Sequence, residues 1–207
     1  MTGNSLATPS YMPTIEEMRR DLLTIGVEAS TEQLNSMVTF SRLLPSRSEK
    51  INLIGPSEYR RLWRRHFLES AAYSLMLKSG RTVVDIGTGN GFPGIVLAIL
   101  EYSTVLLEPK RKKYLFLKWS VSRLGLKECT VLKKRIENFR ATGRCQFTAR
   151  AVAPPSVLID SISAQGPDEW SLICRQPSAP PANSNLKYME LSYPPLDRGG
   201  FLVQYRS

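Results

Sequence analysis

Apolar side chains recur at helical spacing through the first third of the chain. A helix that opens at residues 14–17 would carry Ile15, Met18, Leu22 and Leu23 on one side. Thr14 followed three residues later by Glu17 has the form of a capping box. Residues 30–44 and 57–78 repeat the helical pattern. The sequence therefore predicts three helices before the first strand.

From residue 82 onward, short apolar segments of strand length alternate with helical segments. The predicted strands cover residues 82–86, 102–107, 129–132, 146–152 and 169–174, and the first two crossover helices cover residues 93–101 and 110–124. This alternation predicts a parallel sheet with helices on both faces. Residues 186–193 and 200–206 predict a closing β-hairpin, which gives a Rossmann-like α/β fold with a seven-stranded, mostly parallel sheet and a small N-terminal helical cap.

A glycine-rich turn follows the first strand, and two kinds of ligand fit it. Gly89, Gly91 and Gly94 match the dinucleotide fingerprint, in which amides at a helix N-terminus hold a pyrophosphate. Asp85, Gly87, Gly89 and Gly91 match the acid-x-Gly-x-Gly-x-Gly pattern of class I methyltransferases, whose ligand carries a cationic methionine tail. An acid suits that tail and opposes a pyrophosphate, so we favour the second interpretation; a turn without a ligand is the third.

Further candidate ligand contacts lie where the later strands end. Glu108 follows the second strand, where either ligand would need a carboxylate for its ribose hydroxyls. Residues 133–139 follow the third strand and would border an adenine. Arg150 and Arg175 come at the ends of the fourth and fifth strands, so we expect both to face the crevice of the sheet.

The charge balance predicts a polyanionic partner. The 28 Lys and Arg residues exceed the 18 Asp and Glu residues, which gives a net charge of +10. Two clusters carry much of the excess positive charge. The first lies on one face of the third helix and consists of Arg60, Arg61, Arg64 and Arg65. The second lies at a helix N-terminus, where positive charges oppose the helix dipole, and consists of Lys110, Arg111, Lys112 and Lys113. For each cluster there are two interpretations, contact with phosphates or a face exposed to solvent. The polyanionic partner could be RNA, DNA or an anionic membrane.

The length of 207 residues predicts one domain with a full core. We expect a disordered tail over residues 1–13, a helical cap over 14–79 and the Rossmann-like domain over 80–207. The three cysteines form no C-x-x-C motif and predict buried free thiols, not a metal site. Neither a signal peptide nor a membrane span is visible, so we expect a soluble, cytoplasmic monomer that uses no metal.

Several of these segments together resemble the small-subunit ribosomal RNA guanine-N7 methyltransferase family, of the glucose-inhibited-division-B type. The resemblance covers residues 22–173 and, more weakly, 191–205. Its marks are residues 51–53, 65–70, 85–94, 135–139 and 149–153, among which His-Phe-Leu-Glu-Ser at 66–70 and Phe-Pro-Gly at 92–94 are the most specific. The chain departs from the family at residues 45–48, where a Trp-Asn pair is usual, and at 174–177, where a Lys-Gly pair is usual.

The resemblance implies an enzyme of the class I methyltransferase fold that uses S-adenosyl-L-methionine to methylate N7 of a guanine in 16S ribosomal RNA near the decoding centre. Its partner would be that RNA or the small ribosomal subunit. Carried over from the family, the cofactor contacts would be Gly87, Phe92, Ile136, Glu137 and Arg150. The strand-and-glycine pattern described above adds Asp85, Gly89, Gly91 and Glu108 to the expected contacts. Arg150 and Arg175 would position the reactants, whereas His66, the only histidine, is assigned a structural role. The alternatives are an NAD-type oxidoreductase and an RNA-binding protein with a vestigial cofactor site.

Overall fold

The computed structural model describes residues 9–45, 56–182, 184–192, 194–196 and 199–207. Its α-helices are α1 Ile15–Thr24, α2 Thr31–Leu43, α3 Glu69–Ala72, α4 Gly94–Ile99, α5 Arg111–Leu124 and α6 Pro155–Ser163. Its strands are β1 Thr82–Ile86, β2 Thr104–Leu107, β3 Cys129–Leu132, β4 Arg144–Ala149, β5 Glu169–Gln176, β6 Lys187–Glu190 and β7 Phe201–Arg206. The predicted α/β class with seven strands is confirmed.

Two capping boxes begin the N-terminal helices. The Thr14 hydroxyl accepts a hydrogen bond from the Glu17 amide at 3.3 Å, and the Glu17 carboxylate accepts one from the Thr14 amide at 2.9 Å. Ser30 and Gln33 repeat this exchange at the start of α2. Each cap satisfies amides that have no partner inside the helix, which is worth about 1 kcal/mol. The predicted starts of both helices are therefore confirmed.

The third helical region is not the uninterrupted α-helix that the spacing predicted. It consists of a 3-10 turn Pro56–Arg61, a π-helical segment Leu62–Leu68, α3 and a second 3-10 turn Tyr73–Met76. A 3-10 helix is wound more tightly than an α-helix and a π-helix more loosely, so the α-helical spacing does not decide the sides here. Arg60 and Arg64 line one groove, whereas Arg65 lines a different cavity. The prediction of one continuous arginine face over residues 60–65 is therefore wrong.

The strand order of the sheet is β3-β2-β1-β4-β5-β7-β6. The first five strands are parallel, and β7 runs antiparallel to both β5 and β6. The fourth strand ends at Ala149, earlier than predicted, because Ala151 has φ 56° and turns the chain out of the strand direction. All five parallel strands therefore place their carboxyl ends at one edge, around the glycine turn.

Two hydrophobic clusters cover the two faces of the sheet. The larger one joins the cap to the sheet, with Phe40 of α2 next to Phe92 of the glycine turn and Phe116 of α5. The smaller one packs α6 against alternate residues of the central strands, including Val84 and Phe147. Because the larger cluster is continuous, the cap fixes the position of the elements around the glycine turn.

The N-terminal segment is more ordered than predicted over residues 9–13. Met12 is buried, and the Tyr11 hydroxyl donates a hydrogen bond to the Ser41 carbonyl at 3.1 Å. Residues 1–8 of the expected tail, and the family mark at 51–53, lie outside the described residues. The three cysteines are buried and unpaired, as predicted. Among the described residues, none of the helices has the length and apolar character of a membrane span.

Candidate active site

A cleft of ≈ 390 Å³ opens at the carboxyl ends of β1, β4 and β5, next to the third helical region. Its walls come from the glycine turn, the end of β4, the end of β5 and the segment that begins α3. The residues that line it are Arg65, His66, Glu69, Gly87, Thr88, Gly89, Asn90, Phe92, Lys113, Arg150, Ala151 and Arg175. The cleft therefore brings together the glycine turn and the two strand-end arginines, as the sequence predicted.

Two glycines of the turn present bare backbone to the cleft. Gly87 and Gly89 have φ values of 61° and 60°, a left-handed conformation that side chains disfavour. A Cβ atom on Gly89 would lie 3.7 Å from the Lys113 Nζ. A Cβ atom on Gly87 would lie 3.0 Å from the Val152 Cγ2, so of these two positions Gly89 leaves the more open approach to the main chain. Contact of either glycine with a ligand stays a prediction.

The other two glycines serve internal packing. A Cβ on Gly91 would lie 2.8 Å from the Ile95 Cδ1 and 3.0 Å from the Phe40 Cζ. A Cβ on Gly94 would collide with Leu106 and lie 2.7 Å from a carboxylate oxygen of Asp85. Gly91 lies outside the cleft lining, so the ligand contact predicted for it is still a prediction.

Asp85 ties the end of β1 to the start of α4. The buried carboxylate accepts hydrogen bonds from the Gly94 amide at 2.9 Å and from the Thr148 hydroxyl at 2.9 Å. Burial raises the pKa of Asp85 to about 6, against hydrogen bonds that favour the charged form. A direct contact between Asp85 and a cofactor stays a prediction, because both of its oxygens have partners inside the protein.

The same bond weighs against the dinucleotide interpretation. That interpretation needs the first amides of α4 for a pyrophosphate, and the Gly94 amide already donates to the Asp85 carboxylate. A pyrophosphate there would face a buried acid. The turn is therefore built to hold its own carboxylate, not an anionic ligand.

Glu108 lies beside the glycine turn, as predicted. Its carboxylate accepts from the Gly89 amide at 3.1 Å and from the Lys110 amide at 2.8 Å, and the side chain is buried. The second bond satisfies an amide at the start of α5, where the N-cap residue itself makes no side-chain cap. Glu108 thus links the turn to α5; it is not among the residues that line the cleft, so its contact with a ribose stays a prediction.

The predicted adenine border lies beyond the cleft lining. Ile136 and Glu137 form the short 3-10 turn Ile136–Asn138 after β3, where Ile136 is buried and Glu137 is exposed. Neither side chain lines the cleft. Their contact with a cofactor stays a prediction.

Glu69 holds the two strand-end arginines. Its buried carboxylate lies 3.1 Å from the Arg175 Nε and 3.7 Å from an Arg150 Nη. Arg150 also donates to the Arg65 carbonyl at 3.3 Å and lies over the Phe92 ring, 5.4 Å from its centroid. These contacts fix both guanidinium groups at the cleft wall and leave part of each available to a ligand.

His66 completes the network as a hydrogen-bond acceptor. Because a guanidinium can only donate, the 3.0 Å contact between Arg150 and the His66 Nδ1 makes that nitrogen the acceptor and puts the ring proton on Nε2. Burial, then the charges of Arg150 and Arg65, lower the pKa of His66 to about 3. The imidazole is therefore neutral at physiological pH, with its basic nitrogen already occupied.

The comparisons with known proteins decide the family. The family described as rRNA small subunit methyltransferase G matches residues 33–167, which is more than half of the chain. The chain belongs to this family. Proteins named ribosomal RNA small subunit methyltransferase G are 40% identical over 127 residues in Paramagnetospirillum magneticum (strain ATCC 700264 / AMB-1) and 37% identical over 155 residues in Streptomyces coelicolor (strain ATCC BAA-471 / A3(2) / M145). These matches cover 60% and 72% of this chain, and 62% and 61% of the relatives' own lengths.

A solved structure supports the fold of this family member. The crystal structure of a SAM-dependent methyltransferase from Aquifex aeolicus is 16% identical, with a TM-score of 0.50, and the match covers 78% of this chain and 97% of that one. The class I methyltransferase fold is thus confirmed. Neither the oxidoreductase nor the vestigial-site alternative gains support from these comparisons.

In this methyltransferase G family member, the basic residues predicted to bind RNA lie on several separate surfaces. Arg65 and Lys113 line the cleft, whereas Arg60 and Arg64 line a separate groove on the cap. Lys110, Arg111 and Lys112 are exposed at the start of α5. Glu69 was not predicted as a site residue, although an acid between Leu68 and the apolar pair Ala71 and Ala72 was a usable signal.

Proposed function

We propose that this protein is an S-adenosyl-L-methionine-dependent methyltransferase that transfers a methyl group to N7 of a guanine in 16S ribosomal RNA near the decoding centre. Family membership supports the reaction and the substrate class. The observation that carries the proposal for this chain is the arrangement of Gly89 between the cleft and Glu108. It combines bare backbone with a carboxylate at the carboxyl end of β2.

The residues of the cleft fit this cofactor. Gly87 and Gly89 line the cleft with main chain, with open space at Gly89, and Phe92 lines it with an aromatic ring. Glu108, buried beside the Gly89 amide, is the proposed carboxylate for the ribose hydroxyls. Ile136 and Glu137 are the proposed border of the adenine. When bound, the cofactor supplies an electrophilic methyl group on a sulfonium centre. Within the described residues, no group of three acidic, histidine or cysteine side chains could hold a metal ion.

The proposed reaction needs positioning more than proton transfer. Guanine N7 carries an in-plane lone pair and no proton, so it can attack a methyl group directly. The protein must hold N7 at a near-attack distance of about 3 to 3.5 Å. Arg150 and Arg175 are suited to this, because Glu69 holds both guanidinium groups at the cleft wall. We assign them to orienting the guanine O6, a phosphate or the cofactor carboxylate.

We propose that the substrate RNA lies across the basic surfaces next to the cleft. The residues assigned to phosphate contact are Arg60, Arg61, Arg64, Arg65, Lys110, Arg111, Lys112 and Lys113. Their exposure, apart from the half-buried Arg65 and Lys113, makes them accessible to a polyanion. The partner is 16S ribosomal RNA or the small subunit, and the enzyme acts as a cytoplasmic monomer.

A thermal-shift experiment tests the cofactor. S-Adenosylhomocysteine at 100 times its dissociation constant is expected to stabilise the fold by about 2.7 kcal/mol, whereas NAD is expected to give no shift. Gly89→Leu is expected to abolish the shift, because a side chain there blocks approach to the turn. Gly125→Leu is the matched control, since Gly125 has φ 66° but lies at the end of α5, outside the cleft. A shift with NAD alone would contradict the proposal.

A methylation map tests the substrate. Ribosomal RNA from cells with and without the gene is compared for N7-methylguanosine, and 16S RNA is expected to lose one such site with the gene. A changed base in the large-subunit RNA, or no changed base, would overturn the substrate assignment. Complementation with the Gly89→Leu variant is expected to fail, whereas the Gly125→Leu variant is expected to restore the methyl group.

A further inference from the structure

A second basic groove lies on the helical cap, outside the cleft. It has a volume of ≈ 400 Å³ and runs between α1, the segment before it and the third helical region. The lining includes three arginines, one from α1 and two from the third helical region: Arg20, Arg60 and Arg64. Arg20 was not among the residues predicted to bind RNA, because it is distant in sequence from the other two.

The acids of this groove are already occupied. The Asp21 carboxylate accepts a hydrogen bond from the Trp63 Nε1 at 2.8 Å. The Glu17 carboxylate accepts from the Thr14 amide and the Thr14 hydroxyl, both at 2.9 Å. Glu17 thus caps the start of α1, and Asp21 links α1 to the third helical region. Within the described residues, neither carboxylate forms an ion pair with an arginine.

The arginines of this groove are left without such partners. Among the residues that the structure describes, Arg60 and Arg64 have no carboxylate within 4.0 Å. The cleft is different, because Arg65 pairs with Glu58 and both Arg150 and Arg175 pair with Glu69. The lining thus carries the three arginine charges against the two carboxylate charges of Glu17 and Asp21, and within the described chain none of the three arginines is held in an ion pair. Their guanidinium groups therefore keep donors that suit an external anion.

The groove adjoins the cleft across the π-helical segment. Arg64 lines the groove and Arg65 lines the cleft, although their Cα atoms are about 3.8 Å apart along the chain. An extended polyanion that enters the cleft can therefore continue over this segment into the groove. A free phosphate ion would need one arginine, whereas a strand with a charge on every residue can contact several in a row.

We propose that the groove of Arg20, Arg60 and Arg64 is a second binding site that holds phosphates of the RNA strand flanking the target base. This inference rests on the proposed function, since it supplies the RNA. Trp63 in the lining is 3% exposed and offers no free ring face for stacking, so we assign the groove to phosphates. The site adds affinity and orientation, not sequence preference.

The test is the salt dependence of RNA binding. The double variant Arg60→Gln/Arg64→Gln is expected to bind a short single-stranded RNA more weakly and to reduce the slope of log K against log salt by about 0.7 for each phosphate that it no longer binds. The control is Arg123→Gln/Arg140→Gln, which removes two exposed arginines that line neither the groove nor the cleft. Both double variants lower the formal net charge of +10 by the same two units, so only a local site separates them.

The outcomes separate this inference from the proposed function. Equal slopes of log K against log salt in the two double variants would overturn the proposed binding site in the groove. This holds even if methylation is complete and the thermal shift with S-adenosylhomocysteine is unchanged. A failed methylation map with a reduced slope in the groove variant alone would retain the groove as an RNA site and reject the reaction. Loss of binding to phosphatidylserine vesicles without loss of RNA binding would also overturn the inference, in favour of a membrane surface.

Discussion

The arginines of the cleft and those of the cap groove differ in how their charges are compensated. Arg150 and Arg175 share the buried Glu69, and Arg65 pairs with Glu58 at 2.8 Å. Arg60 and Arg64 have no ion-pair partner in the described part of the chain. A paired arginine has a fixed geometry and a reduced net field, whereas an unpaired one keeps its charge for a mobile anion. The pairing thus distinguishes Arg150 and Arg175, which we assign to positioning, from Arg60 and Arg64, which we assign to affinity.

The largest expected effect comes from replacing one arginine of the cleft by alanine, compared with the same replacement of one arginine of the cap groove. Arg150→Ala is expected to lower kcat by about 100-fold or more. The contacts to Arg65, His66 and Phe92 hold the guanidinium group that positions the reactants, and small displacements of the reactants are costly. Arg64→Ala is expected to raise KM for RNA and leave kcat unchanged. Steady-state methyl transfer to 16S RNA measures both. A fall in kcat with Arg64→Ala would remove the distinction between the two groups.

The next effect concerns the carboxylate that holds the cleft arginines. Glu69→Gln is expected to lower the free energy of unfolding by about 3 kcal/mol, since it leaves two largely buried guanidinium groups without a counter-charge. Glu58→Gln is the matched control, with an expected decrease of about 1 kcal/mol or less because that pair is more exposed. Urea unfolding of both variants measures the difference. Equal decreases would show that Glu69 does not act as a buried counter-ion.

The smallest effect on rate is expected at His66. Its lowered pKa keeps the imidazole neutral, so the single-turnover rate should be flat from about pH 6 to 8, and His66→Asn should retain most of it. A bell-shaped profile that disappears in this variant would instead indicate a catalytic base.

The same residue predicts a pH-dependent stability. The unfolded chain takes up a proton on His66 near pH 6.5, whereas the folded chain does so only near pH 3. The stability advantage of the native residue over His66→Asn should therefore be constant above pH 7 and shrink as the pH falls from 6.5 towards 3. Asp85 acts in the opposite direction in both proteins, since its raised pKa makes the folded state bind more protons between about pH 3.8 and 6. Because both proteins contain Asp85, its contribution cancels when the free energy of unfolding of one is subtracted from that of the other.

The elements that local chemistry decides were predictable from the sequence. β1 and β3 were predicted with their observed bounds, because β-branched and apolar residues stand between turn residues. The Thr14–Glu17 capping box predicted the start of α1, and the helical spacing of apolar residues predicted the start of α2. Glu108 was predicted at the end of the second strand, and the structure places it there, beside the glycine turn, since parallel strands end at one edge of the sheet.

The features that long-range contacts decide were not predictable in this way. The end of β4 was set too late because Val152 continues the apolar pattern, and nothing in that pattern indicates the backbone turn at Ala151. Glu69 meets Arg175 across 106 residues of chain, so no spacing rule connects them. The π-helical segment was missed because the apolar pattern was interpreted with the α-helical period.

The π-helical segment Leu62–Leu68 also constrains how this chain can change in length. A π-helical turn has the geometry of an α-helix with one inserted residue, so deletion of one residue here would restore the α-helical winding. The residues before and after the segment would then keep their orientation, so Glu69 would still face Arg175. Loss of one residue from a regular α-helix such as α5 would instead rotate every later residue by about 100° relative to the earlier ones. The π-helical segment is therefore the part of the third helical region where the chain can lose one residue without separating Glu69 from Arg175.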